Sequence, residues 1–247
     1  MMRQGRPKKM ILAGVDEAGR GCVLGPLVVA GVSLEDSSIP RLIEMGIRDS
    51  KKLSPRRRAE LYKHIKRVAT GISIWKINPR KIDKVVSRGE KLFKLNYLEA
   101  RYMALALARL HWDIAYLDCC DVNEERYGKM VEGFLFSKFQ ERRGKRELKS
   151  EHHADKNHPV VSAASIVAKV VRDRHIAKLQ TKHGAFGSGY PADEETVEYL
   201  REFFKREERF PQFTRLSWST VKKLSQQHEQ LVDFKEFLSS ERGASAL

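Results

Sequence analysis

The chain has 247 residues, with 47 Lys and Arg against 32 Asp and Glu and a formal net charge of +15, a balance that favours a polyanion such as nucleic acid as partner. Its length suffices for one large domain, or a domain with an appendage, without disulfide staples; the three cysteines, Cys22, Cys119 and Cys120, are too few for a disulfide framework and too isolated for a zinc centre. No apolar run approaches the roughly 20 residues of a membrane span, and Met1 to Arg6 lacks the apolar stretch of a secretory signal, so the expectation is a cytoplasmic protein without a membrane partner.

The first element is a buried strand, Met10-Ile11-Leu12-Ala13-Gly14-Val15, which ends on two adjacent carboxylates, Asp16 and Glu17, followed at once by Gly19-Arg20-Gly21. Charge at the end of an apolar run presents itself to a cation or a phosphate. Pro26 to Val32 reads as a second strand, close enough to pair antiparallel with the first. Ser54 and Pro55 give an N-cap and first turn, Leu61, Ile65 and Val68 give the buried stripe of a helix, and Gly71 stops it. Ile72 to Ile77 alternates as a half-buried strand.

Leu92 to Leu110, rich in Ala and Leu, predicts a helix, and Trp112 to Asp118 a strand that again closes on an acid. Glu124 to Gln140 reads as helix and Arg146 to Glu151 as a short strand. Beyond Asp155 a long helix starts at Pro159 and runs to about Lys182, ahead of Gly184 and Gly187. This order predicts an α/β fold with a mixed sheet flanked by helices, whose ligands sit at strand ends. Residues 191–247 show no strand and read as helices joined by Phe210-Pro211-Gln212-Phe213. The expected division is therefore an α/β domain over 1–190 and a helical appendage over 191–247 that adds to its binding surface or braces the core. Basic clusters at Arg48 to Arg67 and Arg142 to Lys149, against an acidic stretch over 191–208, predict a polarised surface.

Asp16, Glu17, Asp118 and Asp155 each fall at or just after the end of a segment expected in one sheet. Singly, Asp118 would serve as a turn residue and Asp155 as a helix cap. Gathered together, such acids repel unless a cation sits among them, and hard oxygen ligands suit Mg²⁺ or Mn²⁺. Two such ions hydrolyse a phosphodiester, one activating water and the other steadying the leaving oxygen. Ser162, Ser165 and Lys169 share one arc of the long helix and, with Lys51 near an earlier helix start, are candidate phosphate contacts. A non-catalytic nucleic-acid binder would need the +15 charge alone and none of these acids.

The motifs Gly14-Val15-Asp16-Glu17-Ala18-Gly19-Arg20-Gly21, Asp49-Ser50-Lys51-Lys52-Leu53-Ser54, Asp118, Ala154-Asp155, Ser162 to Lys169 and Gly187-Ser188-Gly189-Tyr190-Pro191 occur in one order along the chain. The sequence thereby resembles type 2 ribonuclease H, ribonuclease HII. The resemblance implies a ribonuclease H-like fold and metal-dependent cleavage of RNA in RNA–DNA hybrids. It also implies cutting 5′ of a lone ribonucleotide in duplex DNA, leaving 3′-hydroxyl and 5′-phosphate ends. On the same basis Asp16, Glu17, Asp118 and Asp155 are the catalytic, metal-binding acids for two Mg²⁺ or Mn²⁺ ions, with Asp16 touching both. Gly19, Arg20 and Gly21 read the 2′-hydroxyl through their backbone, and Tyr190 packs on the neighbouring deoxyribose. The expected working unit is a monomer. The run Asp155-Lys156-Asn157-His158-Pro159 departs from the small residue after the fourth acid and the aromatic before the Pro that many members carry.

Overall fold

The computed structural model describes residues 9–47, 53–87, 91–138 and 146–227. β1 (Ile11–Ala18) pairs antiparallel with β2 (Leu27–Glu35), and β2 pairs antiparallel with β3 (Gly71–Ile77). On the other side of β1 lie β4 (Ile114–Asp118) and β5 (Glu147–Glu151), both parallel to it, giving the order β3-β2-β1-β4-β5. The sheet is mixed, as the sequence predicts. β5 is polar because it is an edge, where charged side chains protect an open ladder.

β1 is longer than its apolar run. It continues through Asp16 and Glu17, paired with Ala30 and Val29 of β2, so the two acids lie within the strand rather than beyond it. On its other side β4 pairs only as far as Val15 opposite Leu117. The acids therefore stand where β4 stops, which places Asp118, the last residue of β4, at the level of Asp16.

Alternation along the strands supplies two apolar faces. Ala13, Val15, Val29, Ala115 and Leu117 join one buried cluster with α4 (Lys91–Leu107) and α5 (Glu124–Glu132). Val28, Ala30 and Val32 join the other with α2 (Pro55–Val68) and α7 (Pro159–His183). Ser54 caps α2 by accepting from Arg57 N, with Pro55 in the first turn. The start of α7 lies directly on β1, because a Cβ on Gly14 would stand 2.4 Å from the Val160 carbonyl carbon. That contact fixes the height of α7 above the acids.

Two short helices are not signalled by periodicity: α1 (Ile39–Glu44) and α3 (Pro79–Val86), the latter capped by Asn78 accepting from Lys81 N. The helix expected from Glu124 onward changes at Gly133 into a π-helical segment to Lys138; its last two expected residues lie outside the described residues. The four-residue α6 (Ala154–Asn157) precedes α7. After α7 come α8 (Glu194–Glu207) and a helical stretch over 219–227. Leu200, Phe213, Trp218, Val221 and Leu224 belong to the same apolar cluster as α4 and the strands, and Thr214 bridges to Leu24.

Candidate active site

The end of β1, the end of β4 and the short α6 bring Asp16, Glu17, Asp118 and Asp155 to one cavity of about 420 Å³. Asp16 is 4% exposed. Its Oδ1 accepts from the Glu17 amide at 2.7 Å, and the Ser165 hydroxyl of α7 bonds to its carboxylate. Burial, then the nearby charge of Asp118, pushes its pKa up to about 6 against the opposing pull of Lys169. Glu17 is pushed up to about 8, by burial first and by Asp16 second, and its Oε2 is buried with no hydrogen-bond partner among the described residues.

Asp155 is buried on α6. The turn before it needs His153 in the left-handed region, φ 58°, and the Ser162 hydroxyl of α7 donates to the Asp155 carbonyl. Ser162 and Ser165 are thus not on the cavity wall: at 1% and 0% exposed they organise the acids from beneath. Lys169, one turn further on, donates to Ser165 Oγ and does line the cavity. Lys51 lies outside the described residues. Of the two departures after the fourth acid, Lys156 is exposed. His158 stacks on Tyr116 with ring centroids 3.9 Å apart, its Nε2 2.8 Å from Glu151 Oε2.

The Gly19-Arg20-Gly21 turn and Tyr190 line the same cavity. Gly19 has φ +84°, and a Cβ there would stand 2.9 Å from the Pro26 carbonyl oxygen, so its glycine is demanded by the fold. Gly21 differs: the nearest atom to an added Cβ is Tyr190 Cε1 at 3.9 Å, leaving room toward the cavity. Arg172 lies 4.9 Å from the centroid of the Tyr190 ring and donates to the Ser188 carbonyl. Burial, reinforced by the neighbouring Cys22, pushes the Tyr190 phenol up to about 12.

Arg58, Arg172 and Asp173 also line the cavity, and sequence reasoning missed them. Arg58 pairs with Asp173 at 3.2 Å; its place in the basic run of α2 was its only signal. Behind the turn lies a polar network that was equally unannounced. Arg20 pairs with the fully buried Glu99 of α4 and donates to Asn96 Oδ1 at 2.6 Å, and Asn96 donates to Asp121 at 2.8 Å. A single carboxylate in the Ala- and Leu-rich α4 was the one trace of it.

The donor set suits hard divalent cations: four carboxylates, with Asp16 and Glu17 pushed up by burial and by the negative charges beside them, and the buried Glu17 Oε2 lacking any donor among the described residues. Among the described residues no three His, Cys, Asp or Glu side chains are already gathered around a single point as a metal cage. An open arrangement is what Mg²⁺ takes, since it retains waters and binds through one or two carboxylates plus substrate phosphate.

The model of the ribonuclease HII family matches residues 13–221. Ribonuclease HII of Methanoregula boonei is 46% identical over 217 residues, 87% of this chain and 94% of the relative. The crystal structure of ribonuclease H2 from Pyrococcus horikoshii OT3 superposes with a TM-score of 0.79 at 37% identity, covering 88% of this chain and 98% of that one. The Bst-RNase HIII structure in complex with Mn²⁺ shares the fold at TM-score 0.70 and 20% identity, over 87% of this chain and 69% of that one. With the family model spanning both the sheet and the helices that carry the acids, the chain belongs to the ribonuclease HII family.

Proposed function

We propose that this endoribonuclease hydrolyses the RNA strand of RNA–DNA hybrids and cuts 5′ of ribonucleotides embedded in duplex DNA, leaving 3′-hydroxyl and 5′-phosphate ends. The observation that carries the reading is the meeting of four carboxylates and a Gly-Arg-Gly turn in the lining of one cavity. Two of the acids, Asp16 and Glu17, and a backbone that can approach a sugar lie on a single strand and its following turn. A 2′-hydroxyl is the group that separates RNA from DNA at one nucleotide.

Two divalent ions, Mg²⁺ or Mn²⁺, would supply an activated water and a charge to steady the leaving oxygen. Asp16, Glu17, Asp118 and Asp155 would hold them, with Asp16 central because it lies between Glu17 on its own strand and Asp118 on the next. Ser165 and the Glu17 amide keep the Asp16 carboxylate in one orientation. Lys169, Arg58 and Arg172 give the cavity cationic walls that draw in a phosphate backbone. Tyr190, 38% exposed at the rim, offers a ring face to the adjacent deoxyribose. Residues 191–247 act as the substrate-binding or bracing region of a monomeric cytoplasmic enzyme.

The test is a duplex DNA containing one ribonucleotide, incubated with Mg²⁺ or Mn²⁺. A single nick on the 5′ side of the ribonucleotide, with an all-DNA duplex left intact, is expected. A folded sample that leaves both duplexes whole overturns the reading.

A further inference from the structure

Arg215 is fully buried, and no described carboxylate lies within ion-pair distance of it. Removing a guanidinium from water is costly unless its donors are satisfied. They are satisfied by main-chain oxygens of one short segment: Nη2 donates to Gly19 O at 2.6 Å, Nη1 to Arg20 O at 2.7 Å and Nε to Gly25 O at 3.2 Å. Trp218 extends the pattern, its Nε1 donating to Gly21 O at 3.3 Å while its ring centroid lies 4.9 Å from the Arg215 guanidinium. The backbone does the same: Arg215 N donates to Val23 O, and Gly25 N to Phe213 O, each at 2.8 Å.

The carbonyls of all three residues of the turn are therefore engaged by Arg215 and Trp218, neither of which lines the cavity. The amides of Arg20 and Gly21 make no hydrogen bond among the described residues. A turn held this way meets a 2′-hydroxyl with donors. The planar fork of Arg can hold two adjacent carbonyls at once, which a Lys ammonium, a single point on a flexible stem, cannot do with the same rigidity.

We infer that Arg215 is a positioning residue for ribose recognition: by holding the Gly19, Arg20 and Gly21 carbonyls inward, with Trp218 as its second clasp, it sets the turn to receive the 2′-hydroxyl. The inference rests on the proposed reading that this turn recognises the ribose. A segment beyond the sheet and its four acids thus determines substrate discrimination without touching substrate.

The experiment measures, in Mg²⁺, the KM and kcat for nicking a single-ribonucleotide duplex, and the Ki of an all-DNA duplex of the same sequence as competitor. The ratio of Ki to KM reports ribose preference. Arg215→Lys is expected to lower that ratio about tenfold, the scale of one charged hydrogen bond lost or misplaced, with the Ki of the all-DNA duplex little changed. Trp218→Phe keeps an aromatic face beside the guanidinium and removes one donor, so about a threefold loss in the same ratio is expected; it decides the matter if Arg215→Lys fails to fold. A purely structural role would lower the melting temperature and leave the ratio at its wild-type value in the folded variants, and that result overturns the inference. A wild-type protein that nicks no ribonucleotide duplex, or shows no ribose preference, removes the underlying reading instead and the inference with it.

Discussion

Arg20 sends its guanidinium into the buried carboxylate of Glu99, although its backbone belongs to the turn that faces the cavity. Its side chain anchors the turn from the α4 side, and Cys120 adds a thiol hydrogen bond to the same carboxylate at 3.0 Å. Breaking a buried pair by removing one partner leaves the other charge uncompensated. Glu99→Met is therefore expected to destabilise the protein by about 3 kcal/mol, the low end of the range because Arg20 is partly exposed. Arg20→Met combined with Glu99→Met, which removes both charges, should recover much of that loss. Urea denaturation of the two single variants and the double variant checks it; strict additivity would show that the pair is not coupled.

The two glycines of the turn separate fold from function. Gly19→Ala places a Cβ in the left-handed region and against the Pro26 carbonyl, so a stability loss of about 1–2 kcal/mol is expected. Gly21→Ala meets only Tyr190 at ordinary contact distance, and its stability should stay within about 0.5 kcal/mol of wild type. Its methyl, however, projects into the room beside the cavity, so cleavage should fall by about 10-fold or more through displaced substrate. Thermal melts beside nicking assays distinguish the two; equal effects of Gly21→Ala on both would contradict the assignment.

Asp16 and Glu17 link stability to pH in the direction opposite to an ordinary salt-bridged acid. Their pKa values rise from 3.8 to about 6 and from 4.5 to about 8 on folding, so between about pH 4 and 8 the native state binds more protons than the unfolded chain. Stability in chelator should accordingly fall as pH rises through this window. Divalent ions, binding the deprotonated acids, should restore it at pH 8. Asp16→Asn removes one charge and relieves Glu17, so the chelated variant should be more stable than wild type at pH 8 and gain less from Mg²⁺. Denaturation midpoints across pH, with and without Mg²⁺, test this; a flat chelated profile for the wild type would refute it.

β1, β4 and α7 could be read from sequence because each is a long apolar or periodic run, and Asp16, Glu17 and Asp118 stood out as charge against that background. Ser54-Pro55 gave the start of α2 for the same local reason. What stayed hidden is long-range. Arg215 is one of 47 cations in the chain, and nothing in Thr214-Arg215-Leu216 announces that its guanidinium reaches the carbonyl of a residue 196 positions away. Ser162 and Ser165 were visible as a stripe, but which way the stripe faces depends on how α7 sits on β1. The length of β1 was misjudged because the ladder with β2, not hydropathy, carries it past Val15.

Gly14 decides how closely α7 approaches the acids. An added Cβ would stand 2.4 Å from the Val160 carbonyl carbon and oxygen and 2.5 Å from Val161 N. Those atoms belong to the first turn of α7, so relief requires moving the helix rather than a side-chain rotamer. Gly14→Ala should cost about 3 kcal/mol by overpacking. Lifting α7 would also carry Ser165 and Lys169 away from Asp16 and Ser162 away from Asp155, so kcat/KM in the folded fraction should drop by about 10-fold or more. Val160→Ala in the same chain should not rescue either quantity, because the obstruction is backbone. Measuring stability and nicking rate in Gly14→Ala with and without Val160→Ala gives the answer: rescue by the side-chain truncation would mean that the close approach of helix and strand is not set by main-chain contact at Gly14.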